Sequence, residues 1–490
     1  MVASASSPSI VHRRSQRTGM PTLGREYRRA DPIIRVVDSA RAIRRRALVL
    51  GIVAFAVYNA NGREIGTYDS QPTNYTAREI VLHHTLVLDA VIGATPELAS
   101  RPGVIRTADG HYRSAYSVVP AILAAGPAWV LARLHVLDLR APVTPSLIAK
   151  LTASLLTSGA VVLAFLIARR RAGDRLAVFV ALGFGLGTNL WALASQTLWQ
   201  HETTIFALSA AVLCLDHRGA AVTARRLTLA AVWLGIACAA RPEVAPAIAV
   251  VSLSIVLRTG VLRGVLALVP LAALTAATMA FNVAHFGHVL GAMPILEALH
   301  PTIHGVGGSL GSEPWIGALG LLVSPSRGLL IFSPIVLVAA LGLRRALRHG
   351  PRGDLWWAGA ALAQFALYAA YAVWWGGHTY GPRYCLDLLP FLLPLASAGV
   401  TDLAGHRLTR WAGSAALAWS LVVAGTGAFC YPAEAWNTDP DEVDTHHARL
   451  WDWRDSQVIR CWRHGPSPQN AALFSPASWR QPTAGPPRAP

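Results

Sequence analysis

The stretch LTASLLTSGAVVLAFLIARRRAGDR, residues 151–175, decides the fold class. Its first part, 151–168, carries no charge and no polar stripe at helical spacing, so a helix built from it has no face to give to water. An arginine cluster, Arg169–Arg175, follows at once. ALVLGIVAFAVYNA (47–60) has the same character, and long apolar runs recur from residue 47 to residue 429. Charged residues make up only 14% of the 490-residue chain, against about 25% in an average soluble domain. The sequence is that of an all-α polytopic membrane protein.

The formal net charge of +17 is almost all arginine, because Lys150 is the only lysine. The arginines fall in short clusters between apolar runs: Arg44–Arg46, Arg169–Arg175, Arg218–Arg226, Arg258–Arg263, Arg344–Arg352 and Arg407–Arg410. This is the positive-inside pattern, and it excludes nucleic acid as the partner implied by the charge. From Arg169 onward each pair of clusters encloses two apolar runs. The spans expected are 47–60, 146–168, 176–194, 200–216, 227–240, 242–257, 264–284, 328–343, 355–375, 386–401 and 411–429, about eleven, with the N-terminus inside and the C-terminus outside. SVVPAILAAGPAWVLARL (117–134) breaks the scheme. With Pro120 and Pro127 it reads as an interfacial or re-entrant helix, and it makes a twelfth span if it crosses. Residues 1–46 read as a disordered basic cytoplasmic arm ahead of a retained anchor.

Three outer regions follow within and beyond the 47–429 transmembrane domain. The first loop, 61–116, holds Asp69, Arg78, Glu79, His83, His84, Asp89, Asp109, Arg113 and Tyr116. The second, 285–327, holds His285, His288, Glu297, His300, His304, Glu313 and Arg327. The tail, 430–490, is Trp- and Pro-rich and irregular, and its Cys430 and Cys461 can pair only if it lies outside. A short loop, WWGGHTYGPRYCLD (374–387), joins two late spans at the same face. Most titratable residues outside the arginine clusters thus gather on one side of the membrane.

Each candidate has a plain structural reading beside a chemical one. Asp69, before Ser-Gln-Pro, suits a helix N-cap or a general base. Asp89 reads as an amphipathic-helix charge or a substrate contact. Arg383, aimed by the Gly381-Pro382 turn, suits a phosphate or snorkels at the interface, and Arg327 in SPSRG is the second phosphate candidate. Arg241 pairs with Glu243 or serves the site. His201 orients a donor or satisfies a buried helix end. The histidines of 285–304 fit no single helical face and no acid-histidine motif, so no metal site is expected.

Several of these stretches resemble a known family. YDSQPTNY (68–75) with LVLDAV (86–91), DGHYRSAYSVVPAILAAGPAWVL (109–131), SQTLWQHETTIFAL (195–208), FNVAHFGHVLGAMP (281–294), LLVSPSRGLLIFSPIVL (321–337), WWGGHTYGPRYCLDLLP (374–390) and LWDWRDSQVIR (450–460) are similar, in this order, to stretches of membrane-embedded glycosyltransferases of the GT-C class. The resemblance is greatest to bacterial relatives of the dolichyl-phosphate-mannose protein mannosyltransferases. It departs from the commonest form in having Tyr68 where a glycine precedes the acid, and in lacking paired acids. The resemblance implies Asp69 as catalytic base and a polyprenyl-phosphate-linked sugar as donor, in the plasma membrane of a bacterium. Arg383 and Arg327 would hold the donor phosphate. His378, Tyr380, Arg113, Tyr116, Asp89 and His201 are the candidate substrate-binding residues. The acceptor is an extracytoplasmic glycan, lipid or protein hydroxyl, and no divalent metal is expected. A single base with a lipid-phosphate leaving group points to one-step inversion, since retention calls for a second positioned carboxylate. The competing classes are a lipid or polysaccharide transporter, which would place charges mid-membrane, and a non-catalytic membrane assembly protein.

Overall fold

The computed structural model describes residues 32–101, 103–216, 222–299, 310–311, 313–348, 350 and 352–475. The chain divides into two compact units, Met1–Arg46 and Ala47–Pro490. Of the expected basic arm, residues 1–31 lie outside the described residues. Helix already begins at Pro32, earlier than a disordered arm to residue 46 allows.

The second unit is mostly helical. Helix α1 (Pro32–Asn59) enters it and ends at Asn61-Gly62, where Gly62 has positive φ. The segment 61–116, expected as the first outer loop, holds a small folded layer: α2 (Gln71–His83), α3 (Asp89–Ala94) and a hairpin of β1 (Val104–Arg106) and β2 (Tyr112–Ser114), antiparallel with Ile105 opposite Arg113. The Pro-bearing segment forms α4 (Val119–Arg133). Its alanines Ala121, Ala124 and Ala128 are buried against Ala77 of α2 and Ile148 and Ala149 beyond it, while Ile122, Trp129 and Val130 face outward. The helices that follow are α5 (Thr144–Gly185, broken at Gly173), α6 (His201–Leu215), α7 (Ala224–Ala240), α8 (Ala245–Thr259), α9 (Val261–Ala267), α10 (Val269–Phe286) and α11 (Met293–Leu299). After them come α12 (Pro314–Val323), α13 (Val338–Arg348), α14 (Asp354–Ala369), α15 (Leu389–Gly405), α16 (Arg407–Cys430) and α17 (Gln457–His464).

Among the described residues, five segments are by length and composition apolar enough to cross a membrane: Thr144–Gly185, Pro242–Thr259, Val269–Phe286, Arg383–Gly405 and Arg407–Cys430. The shorter apolar helices Val119–Arg133, His201–Leu215 and Pro314–Val323 join them. Each expected span contains helix, but 328–343 is in pieces. Pro334 cannot donate to the preceding turn, so a short Leu329–Phe332 helix gives way to a 3-10 turn before α13. Helix packing relies on small residues. A Cβ on Gly342 of α13 would stand 1.9 Å from the Leu395 carbonyl, and one on Gly399 of α15 2.1 Å from that of Val338. The two backbones therefore approach as closely as membrane helices joined by small residues do.

Polar clasps mark the two ends of the bundle. At one end Arg171 grips Asp354 with two hydrogen bonds (2.8 and 2.9 Å) and Asp216 through Nε (2.9 Å) and Nη2. At the other, Lys150, 1% exposed, donates to Asn61 Oδ1 (2.9 Å) and to Gln196. Twenty-one residues of α5 separate the two, about 31 Å of helix. The Lys150 end carries the first-loop layer and the tail. Arg63 donates to the Tyr431 carbonyl (2.6 Å) and to Asn470 Oδ1 (2.7 Å), and Cys430 is disulfide-bonded to Cys461.

Candidate active site

Asp69 sits in the turn just before α2. The capping position belongs to Ser70, whose hydroxyl accepts from the Thr67 N–H and donates to the Thr67 carbonyl, both at 3.1 Å. Asp69 enters this turn only through its own N–H, donated to Thr67 Oγ1 at 3.2 Å. Its carboxylate is thus left over from the helix start, and the N-cap reading does not hold. The side chain is 40% exposed, and its Oδ2 lies 3.7 Å from Nη1 of Arg383. The Tyr116 phenol stands beside Asp69; burial, with the Asp69 charge next to it, holds that phenol well above its usual range, so it stays a donor.

Arg383 arrives from the opposite side of the sequence on the GPRY turn. Gly381 has φ +63°, and a Cβ there would meet Asn189 Nδ2 and Phe332 at 2.5 Å, so only glycine permits the turn that aims the guanidinium. Asn189 fixes the same turn by donating to the Tyr380 carbonyl at 2.7 Å. The guanidinium lies over the rings of Tyr384 (5.3 Å) and Trp199 (5.5 Å). Behind it Asp387, fully buried, accepts from Arg241 Nε (2.8 Å), His201 Nδ1 (2.9 Å) and the Tyr368 hydroxyl. A carboxylate withdrawn from water is tolerable only with such a complement of donors. Tyr368 stacks on Tyr384 at 4.8 Å and 11°, and Arg241 reaches both rings at 5.8 and 5.9 Å.

The arrangement leaves nitrogen atoms unanswered. Trp199 Nε1, His201 Nε2 and Arg383 Nε are each buried without a hydrogen-bond partner among the described residues. Trp199 Nε1 and Arg383 Nε are N–H groups, and buried N–H groups are almost always satisfied, so their place beside a half-exposed carboxylate calls for an explanation. Arg383 and Arg241 bring two cations, and Asp387 answers one from behind. The front of the cluster is suited to an anion with several acceptor oxygens, held by a charge-assisted fork.

The other sequence candidates divide. Arg327 is fully buried, and its five donors all find acceptors: Trp375 O (2.8 Å), Ser326 O (2.8 Å), Gln457 Oε1 (2.5 Å), Gly377 O (3.1 Å) and Asn437 Oδ1 (2.9 Å). It clamps the 374–381 loop to the tail and offers nothing to a phosphate. Tyr380 is likewise buried, with its hydroxyl on the Val423 carbonyl (2.9 Å). Arg113 braces the hairpin through Thr107 (2.6 Å) and Asp109 (2.8 Å). Asp89 pins that hairpin to α3 by accepting from the Tyr112 N–H (2.7 Å) and facing His111 Nδ1 (2.6 Å). His378 turns to Glu442 and Asp444 of the tail. His201 does join the cluster, and Arg241 pairs with Asp387, not with Glu243. His300 and His304 lie outside the described residues.

Sequence reasoning missed Asp387, Tyr368, Tyr384 and Trp199. The signal for Asp387 was one helical turn from Arg383 in RYCLD; that for Trp199 was its place two residues before His201. Their partners come from distant helices, so local spacing did not reveal the grouping.

No family model matches the chain, and no curated protein matches it. In structure it is similar to the ArnT protein of Cupriavidus metallidurans, solved bound to undecaprenyl phosphate, at a TM-score of 0.47 and 14% identity over 87% of this chain and 76% of that one. It is also similar to the oligosaccharyltransferase AglB of Archaeoglobus fulgidus, solved with an inhibitory peptide and a dolichol-phosphate, at a TM-score of 0.46, 12% identity and 90% of this chain. A structure of the Archaeoglobus fulgidus oligosaccharyltransferase tethered to an acceptor peptide gives a TM-score of 0.48 and 11% identity. The chain spans 65% and 64% of those two archaeal chains.

Proposed function

We propose that this protein is a glycosyltransferase that moves a sugar from a polyprenyl-phosphate-linked donor to an acceptor hydroxyl on the outer face of a bacterial plasma membrane. The observation that carries the reading is the Asp69–Arg383 pair at 3.7 Å, backed by three unpartnered nitrogens. A carboxylate and an anion-binding fork at the end of a membrane bundle are what transfer from a lipid phosphate needs. The Cys430–Cys461 bond and the tail's place at this end accord with an outer C-terminus and an inner N-terminus.

In the proposed step Asp69 takes the proton of the acceptor hydroxyl as its oxygen bonds to the anomeric carbon. The bond from that carbon to the phosphate oxygen breaks, and its electron pair leaves on the polyprenyl phosphate. Arg383 holds the charge that develops there, with Trp199 Nε1 donating beside it. Arg241 and Asp387 keep that face cationic and fixed from behind. The phosphate also draws Arg383 away from Asp69, which frees the carboxylate to act as base. With one carboxylate at the reacting centre the sugar inverts. The acceptor is a glycan, lipid or protein hydroxyl, and the mechanism asks for no divalent ion.

The test is turnover of a panel of labelled polyprenyl-phosphate sugars by the purified chain, with membrane extract as acceptor source. Label moving from one donor into the acceptor fraction with inverted linkage is the expected result. Retained stereochemistry would rule out the single-base mechanism.

A further inference from the structure

Away from the Asp69 cluster, the structure brings three ligand-type side chains from two segments to one point. His378 comes from the loop that carries Arg383; Glu442 and Asp444 come from the tail. His378 Nε2 lies 3.0 Å from Glu442 Oε1 and 3.3 Å from Asp444 Oδ2. A protonated ring would form ion pairs with both carboxylates at these distances, but Nε2 makes no hydrogen bond of acceptable geometry among the described residues. The distances also suit the edges of a coordination shell. Ligands about 2.0–2.1 Å from a zinc-type ion in tetrahedral array stand about 3.3–3.4 Å apart. The three donor atoms all lie within 4.8 Å of one another, so one ion can reach all of them.

The surroundings orient these groups. Trp375 Nε1 donates to Asp444 Oδ1 at 2.7 Å, which turns Oδ2 toward His378. Gly376 and Gly377, both with positive φ, let the loop turn so that His378 faces the tail while Arg383 faces Asp69. Asp444 is 14% exposed, His378 34% and Glu442 51%, so the shell is closed on the protein side and open to water or a further ligand on the other.

We infer that His378, Glu442 and Asp444 form a binding site for a first-row divalent cation of the zinc type, which fastens the Arg383 loop to the tail. An imidazole with two carboxylates selects such an ion over calcium or magnesium, which prefer all-oxygen shells. The site lies outside the proposed transfer chemistry, and its ion joins two segments and takes no part in the reaction. The inference is independent of the transferase reading.

The experiment uses the full chain, purified in detergent and stripped with a chelator. Zinc is added back, and bound metal is measured by elemental analysis, with the visible spectrum of the cobalt-substituted protein alongside. One equivalent of zinc, a tetrahedral cobalt spectrum and a raised unfolding temperature are expected. His378→Ala and Asp444→Asn should abolish all three, and Trp375→Phe should weaken zinc about tenfold. Glu442→Gln, at the exposed ligand, guards against a folding defect and should also lose the equivalent. Zinc stoichiometry and cobalt spectrum unchanged in Glu442→Gln and His378→Ala, or no zinc bound by the folded wild type, would overturn the proposal.

Discussion

At the scale of the residue, the site is a contrast between groups that are satisfied and groups that are not. Arg327 and Arg383 both looked suited to phosphate in the sequence, since each sits between helix-breaking residues. Only their surroundings separate them: five acceptors saturate Arg327, whereas Arg383 keeps Nε unpaired and faces Asp69. Arg383→Lys keeps the charge and loses the fork. It should cost about 1.5–3 kcal/mol of donor binding, read as a ten- to hundredfold higher KM for the lipid donor with a stable fold. Asp387→Asn removes the charge and turns one of the two oxygens that Arg241 and His201 share into a donor. That change should lower stability by about 3–5 kcal/mol, as breaking a buried ion pair does, measured by thermal unfolding in detergent. Asp69 and Arg383 were legible because each stands in a short local motif. The Asp387 group was not, because Arg241 and His201 come from 146 and 186 residues away.

At the scale of the element, the apolar runs marked where helices form, and proline and glycine marked where they break. The expected first outer loop is instead a layer of two helices and a hairpin, which the polar composition of 61–116 concealed. Its short elements carry too few periodic residues to announce themselves, yet they place Asp69 at the mouth of the bundle. The 374–383 loop has the same role on the other side, and the tail holds it through Arg327. Arg327→Gln removes donors from Gly377 and Asn437 and leaves buried acceptors unmet. The expected outcome is a lower unfolding temperature and faster proteolysis of the tail, with donor KM unchanged in the folded fraction. A raised KM without loss of stability would return Arg327 to the phosphate site.

At the scale of the whole molecule, the Asp69 end of the bundle is built from parts far apart in the chain, held by Arg63, the disulfide and the Arg327 clamp. A buried carboxyl sits among them. Burial pushes Glu434 up to about 7, against the opposing pull of Arg63, Arg327 and Arg460. The folded chain therefore binds a proton there that the unfolded chain, titrating in the ordinary range near 4.5, has already lost. Stability from the neutral form is full below that range and declines as pH rises through about 7. Unfolding temperature should fall between pH 5 and pH 8, and Glu434→Gln should flatten that decline. No reading of the sequence suggested this group, because its burial depends on the packing of the tail against α16.

The central claim is that Asp69 does the chemistry while Arg383 and its neighbours hold the donor. The most direct measurement compares wild type and Asp69→Asn for both binding and transfer of the productive polyprenyl-phosphate sugar. Binding should hold or tighten, since Asn no longer competes with the phosphate for Arg383. Transfer should fall by about 10²–10⁴, the usual contribution of a general base. Transfer at the wild-type rate by a folded Asp69→Asn protein would contradict the account.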